Sequence, residues 1–249
     1  MECLACGTTS SPASREHVFA RWLLEELAAK DLAIGLFRDL GNGTSQRQRS
    51  DIRLDSFKLK RVCESCNNGW MSGLEDLAKP FILGIIKGGR KLPSFDEEER
   101  RTLAKWAGKT AIIESHVVGA ECPISGDYLE WMRLRDDNVP GRFCVAACLH
   151  PMRGVGHMQV GVIRDLIGGG VAAGNVVMIV LPVVAFACAF PMIETPYQAR
   201  CVRSLYVPLW PSPAAWKPMK QTPMPETFSC DFDRLNAMAE RVELFHAVK

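Results

Sequence analysis

Four of the ten cysteines stand as two CxxC pairs, Cys3/Cys6 and Cys63/Cys66. Four thiolates complete the tetrahedral shell of a structural Zn2+ and leave no open coordination position, so the chemistry they point to is architectural. Two such pairs in one small module are a strong zinc signal; the competing reading is two unrelated pairs of buried cysteines. The 56 residues between the pairs exceed what a zinc ribbon needs, so the fold must bring the halves together around an insertion. Loop-closure cost grows slowly with length, and structural zinc binding of roughly 10 kcal/mol outweighs it. Inside the zinc-closed loop lies Arg15-Glu16-His17-Val18-Phe19, and directly after the last cysteine comes Asn67-Asn68-Gly69-Trp70.

A CxxC pair, an acid followed by His, and a CxxC followed at once by Asn at a helix start, in that order, resemble the HNH nucleases, the zinc-bearing ββα-metal or His-Me finger group. The resemblance covers about the first 80 residues. It implies a metal-dependent endonuclease that hydrolyses DNA phosphodiester bonds. Such chemistry wants a water deprotonated near neutral pH and a divalent cation to neutralise charge on the phosphate. By resemblance His17 is the general base, its free pKa near 6.5 leaving much of the imidazole neutral. Glu16 and Asn67 would hold Mg2+ or Mn2+ as hard oxygen donors, with Asn68 taking the role of Asn67 if the helix starts one residue later. On an extended strand Glu16 and His17 point to opposite faces unless the strand bulges. The family's usual aspartate is Glu16 here, and its third signature His is Asn67. The only counterpart for its middle Asn between His17 and Cys66 is Asn42, in a polar loop.

Thirty Lys plus Arg against 28 Asp plus Glu give a net charge of +2, so the whole-molecule field does not drive binding to polyanions. Residues 38–61 are different: seven bases against three acids make a local +4. Arg47, Arg49, Lys58, Lys60 and Arg61 are the candidate phosphate contacts of a DNA partner, against the plain reading of a solvated loop face. A second function class competes with the nuclease: a catalytically inactive zinc module that binds nucleic acid or a protein partner. Nuclease function would suit phage defence or a mobile element, and a homodimer is compatible with it.

These residues need elements to place them. The chain's 47% apolar content over 249 residues suits a folded protein. The expected architecture is α+β: a zinc-bound, treble-clef-like ββα-metal finger over residues 1–90, with its insertion at about 35–60, and an α+β domain with an antiparallel sheet over 91–249. Helical spacing predicts a helix at 21–33, with residues 41–50 as a polar loop and 55–62 as a strand into the second CxxC. A helix from Cys66 runs through 76–86, disturbed at Pro80 and stopped at Gly88-Gly89. An amphipathic helix at 97–118 carries acids in its first turn, and a shorter one follows at 128–134. Strands are expected at 142–149, 158–164, 176–181, 183–190 and 200–209, then a Pro-rich loop at 208–225 and a last helix at 232–245. Glu75 is expected in a salt bridge or cap, and Trp22, Trp70 and Trp106 in the core.

Residues 171–193 are uncharged and long enough to cross a bilayer. The preceding Gly168-Gly169-Gly170, Pro182 and many valines suit two buried strands better, so a membrane partner ranks low. The opening Met1 to Cys6 lacks the basic start and apolar run of a secretory signal, so the expected compartment is the reducing cytoplasm. There Cys122, Cys144, Cys148, Cys188, Cys201 and Cys230 serve as small core residues rather than disulfides.

Overall fold

A computed structural model of the chain describes residues 1–31, 33–39, 45–117, 124–134, 143–149, 156–166, 170–191 and 206–210. Strand β1 (Ala13–His17) pairs antiparallel with β4 (Lys58–Cys63), Ala13 opposite Cys63 and His17 opposite Lys58. The register slips between Ser14 and Glu16, so Lys60 and Arg61 together face the single residue Arg15. Such a bulge bends its strand and re-aims side chains. Both residues of the bulge are exposed, while Leu59 and Val62 on either side turn inward. After Cys63 the chain makes a one-turn helix α2 (Glu64–Cys66), a π-helical turn (Asn67–Met71) and the long helix α3 (Ser72–Ile86). The helix expected to begin at Cys66 therefore kinks at Gly69 (φ −94°, ψ −108°). Pro80 does not disturb α3 as expected: it sits on an exposed side of the helix, as does Asp76, whose carbonyl loses its donor, and water can take that place.

The segment between β1 and β4 departs from expectation. Helix α1 (Arg21–Glu26) covers only the start of the predicted 21–33 helix. Ala28 takes a left-handed conformation (φ 48°) that ends it, and the β-favouring Ile34 and Phe37 continue as β2 (Ala33–Asp39). This strand pairs with β3 (Ser45–Arg53), so residues 45–50, expected as loop, belong to a hairpin. The polar composition misled because backbone pairing satisfies N–H and C=O groups whatever the side chains are.

Helix α4 (Glu97–Val117) is the hub. It packs on α3 and β4 on one side and on a five-stranded sheet on the other. That sheet is antiparallel throughout, in the order β6 (Gly156–Leu166), β7 (Gly170–Leu181), β8 (Val184–Pro191), β5 (Cys144–Leu149), β9 (Tyr206–Trp210). Every residue from Leu103 to Ser115 is buried, so α4 is not the amphipathic surface helix its pattern predicts. Both its flanks are covered, and Lys105, Lys109 and Glu114 are inside. Trp106 stacks edge-on against Phe186 of β8 at 5.6 Å. Gly108 admits Met132 of α5 (Asp127–Leu134) and Phe143, each of which would lie 2.5 Å from a Cβ there. One core cluster runs from Cys3 to Trp210.

Mixed helices and antiparallel sheets make this an α+β arrangement. The apolar run at 171–193 forms most of β7 and β8, joined by a turn at Pro182-Val183, and no described helix is long and apolar enough to cross a membrane. Of the expected Pro-rich stretch, Pro208–Trp210 belong to β9; the remainder and the expected helix at 232–245 lie outside the described residues.

Candidate functional site

The first CxxC sits on a tight turn in which Gly7 (φ 68°) donates its N–H to the Cys3 carbonyl at 2.8 Å. A side chain would be strained in that left-handed position, which glycine occupies freely. Leu4 N–H donates to the Arg61 carbonyl at 2.8 Å and fastens this turn to β4, whose last residue is Cys63. The four Sγ atoms of Cys3, Cys6, Cys63 and Cys66 consequently lie within 4.8 Å of one another. Cys3 Sγ also accepts N–H groups from Cys63 at 3.3 Å and Ala5 at 3.4 Å. Burial pushes the Cys3 thiol up, but these backbone donors outweigh it and bring the pKa down to about 7. Burial raises Cys66. A closed set of four soft sulfur donors fits a structural metal ion such as zinc, and these four residues would hold it.

His17, at the end of β1, is half-buried. Burial lowers its pKa first, Lys58, Arg21 and Lys109 lower it further, and Glu75 acts against them. The imidazole is therefore neutral at pH 7 and able to accept a proton. Asn67 leads the kinked turn after Cys66, and its Nδ2 donates to Ser14 Oγ on β1. That bond uses the amide nitrogen and leaves the amide oxygen available. Asn68 is exposed. Asn42 lies outside the described residues.

Glu16 alternates with His17 along the strand and is only 5% exposed. Its Oε1 stands 2.8 Å from Lys109 Nζ, and the same ammonium lies 2.6 Å from Glu75 Oε1 on α3. Burial alone would drive the Lys109 pKa down, yet the two carboxylates reverse this and hold it above the ordinary lysine range, fully charged. Glu16 feels burial first, which raises its pKa against the pull of Lys109. A hard divalent cation does not fit beside Glu16 as the resemblance implies, because an ammonium inside the protein already engages that oxygen. Glu75 is in a salt bridge as expected, and Trp106 is fully buried.

Of the expected phosphate contacts, Lys58 is half-buried opposite His17, and Lys60 and Arg61 are exposed at the bulge. Arg47 and Arg49 lie on β3, opposite Phe37 and Leu36. Sequence reasoning missed four participants: Ser14, Arg15, Arg21 and Lys109. Arg15 faces the bulge and Arg21 is close enough to act on His17, both exposed. Their proximity in sequence to the Glu-His pair was an available signal. Lys109, 93 residues from Glu16, gave none.

No family model, curated protein or solved structure matches the chain. The site's own groups are a cysteine cluster able to hold a metal ion, a neutral imidazole at the opposite end of β1 from it, and exposed cations on β1 and β4.

Proposed function

We propose that the chain is an HNH-type endonuclease that hydrolyses DNA phosphodiester bonds, with zinc on Cys3, Cys6, Cys63 and Cys66 holding a treble-clef-like ββα finger in shape. The observation that carries this reading is the half-buried, neutral His17 at the end of a strand anchored on the cysteine cluster, opposite Lys58. His17 takes the proton of a water whose oxygen bonds to phosphorus, and the P–O bond to the leaving oxygen breaks, that oxygen taking a proton from solvent. Lys58, Arg15 and Arg21 would meet the charge building on the phosphate. The Asn67 amide, bonded to Ser14, would tie the turn after Cys66 to the strand that carries the base. No cation on Glu16 takes part in this reaction. The reaction would take place in the cytoplasm.

Cleavage of supercoiled plasmid by purified protein tests the reading. His17→Ala should abolish cutting with zinc content and melting unchanged; a His17→Ala protein that cuts as well as the parent would place the activity elsewhere. A second reading, a zinc module that binds nucleic acid or a protein without cutting, is favoured by the engagement of Glu16 with Lys109. Plasmid binding without cleavage, at any metal concentration, would select it.

A further inference from the structure

The Lys109 side chain is 0% exposed, enters from α4, and meets carboxylates from two other elements, Glu16 of β1 and Glu75 of α3, whose side chains are 7% and 18% exposed. A buried ammonium is tolerated only where opposite charges and hydrogen bonds replace its lost hydration, and here two carboxylates do so at 2.8 and 2.6 Å. Two acids converging from separate elements onto one buried point form the oxygen-donor geometry that hard cations seek. The cation present at that point belongs to the chain itself. It cannot leave unless α4 leaves, and a divalent ion entering beside it would meet a like charge at close range in a poorly screened place.

We propose that the Lys109 ammonium is a tethered cation occupying the position between Glu16 and Glu75 that a divalent ion would take, so that the reaction at His17 uses no ion bound to Glu16. Its use in catalysis rests on the hydrolase reading, whereas its occupancy of the cation position rests on geometry alone. Lys109 is a positioning residue in this scheme. It never reaches substrate, but it fixes β1 against α3 through its contacts with both carboxylates, and this holds His17 at the strand end.

Titrating the zinc-loaded full chain with Mn2+ alone, followed by electron paramagnetic resonance, tests the proposal. The parent and Glu16→Gln should bind Mn2+ identically. Lys109→Ala opens the dicarboxylate and should gain one Mn2+ site, about tenfold tighter or more than anything in the parent; Glu16→Gln in the Lys109→Ala background should abolish it. Lys109→Arg, which keeps the charge, should behave as the parent. Parent Mn2+ binding that Glu16→Gln removes would overturn the proposal, as would a folded, zinc-retaining Lys109→Ala protein that gains no site. Where Lys109→Ala does not fold, the comparison of the parent with Glu16→Gln decides alone: identical binding supports the proposal and loss of binding overturns it. Failure of the parent to cut plasmid would end the hydrolase reading and leave these titrations unaffected.

Discussion

His17 owes its neutrality first to burial and then to the cations around it, and the order of these causes gives a testable pH dependence. With the folded pKa below 6.5, the proposed base stays competent through neutral pH and loses activity only as pH falls through the lowered value. Lys58→Gln removes a lowering charge, so the acid limb of kcat/KM and the His17 imidazole NMR titration should both move to higher pH. An acid limb that stays in place while the imidazole titration moves would mean that another group limits the rate. The cysteines act on stability instead. Cys63→Ser should drop zinc content from one equivalent to well below half by elemental analysis and abolish cooperative melting, because structural zinc contributes roughly 10 kcal/mol to a module this small. The cysteine set was readable because ligand spacing is local and covalently fixed. The state of Glu16 was not, since its neighbour Lys109 looks in sequence like any wet helical lysine and only tertiary folding brings the two together.

Helix α4 shows where element-level reading fails. The apolar spacing and the first-turn acids Glu97, Glu98 and Glu99 were enough to place its ends almost to the residue. Its all-round burial was hidden because Lys105, Lys109 and Glu114 imitate a wet face, and only the sheet packed on the second side overrides them. Similarly, the β2–β3 hairpin was missed, with most of β3 read as loop, because its pairing depends on backbone groups that composition does not report. Close packing of α4 makes a sharp prediction at Gly108. Although alanine is a better helix former by about 1 kcal/mol, Gly108→Ala puts a Cβ 2.5 Å from Met132 Cε and Phe143 Cζ. Overpacking of this kind costs about 1–3 kcal/mol, so urea unfolding should show a net loss. Gly73→Ala, with nothing within 4 Å of its Cβ, is the control and should be neutral or slightly stabilising.

Across the whole molecule a net charge of +2 conceals a β1–β4 pair that carries Arg15, Lys60 and Arg61 exposed at its bulge and Lys58 opposite His17. If DNA lies along these strands, replacing Arg15, Lys60 and Arg61 by Gln should weaken binding equally for all sequences. The log–log salt slope should flatten by roughly 0.9 for each phosphate no longer neutralised. Fluorescence anisotropy at several salt concentrations measures it, and an unchanged slope would move the binding surface away from these strands. The contact of α4 with β1 and α3 also bears on synthesis of the chain. Glu16 and Glu75 are both made before Lys109, so a nascent chain that ends short of α4 has the two acids without the ammonium that pairs with them. A ribosome-stalled chain ending before α4 would have its metal ligands but not the ammonium that joins β1 to α3. An incomplete product of that length therefore carries the proposed base without the buried ion pairs that flank its strand.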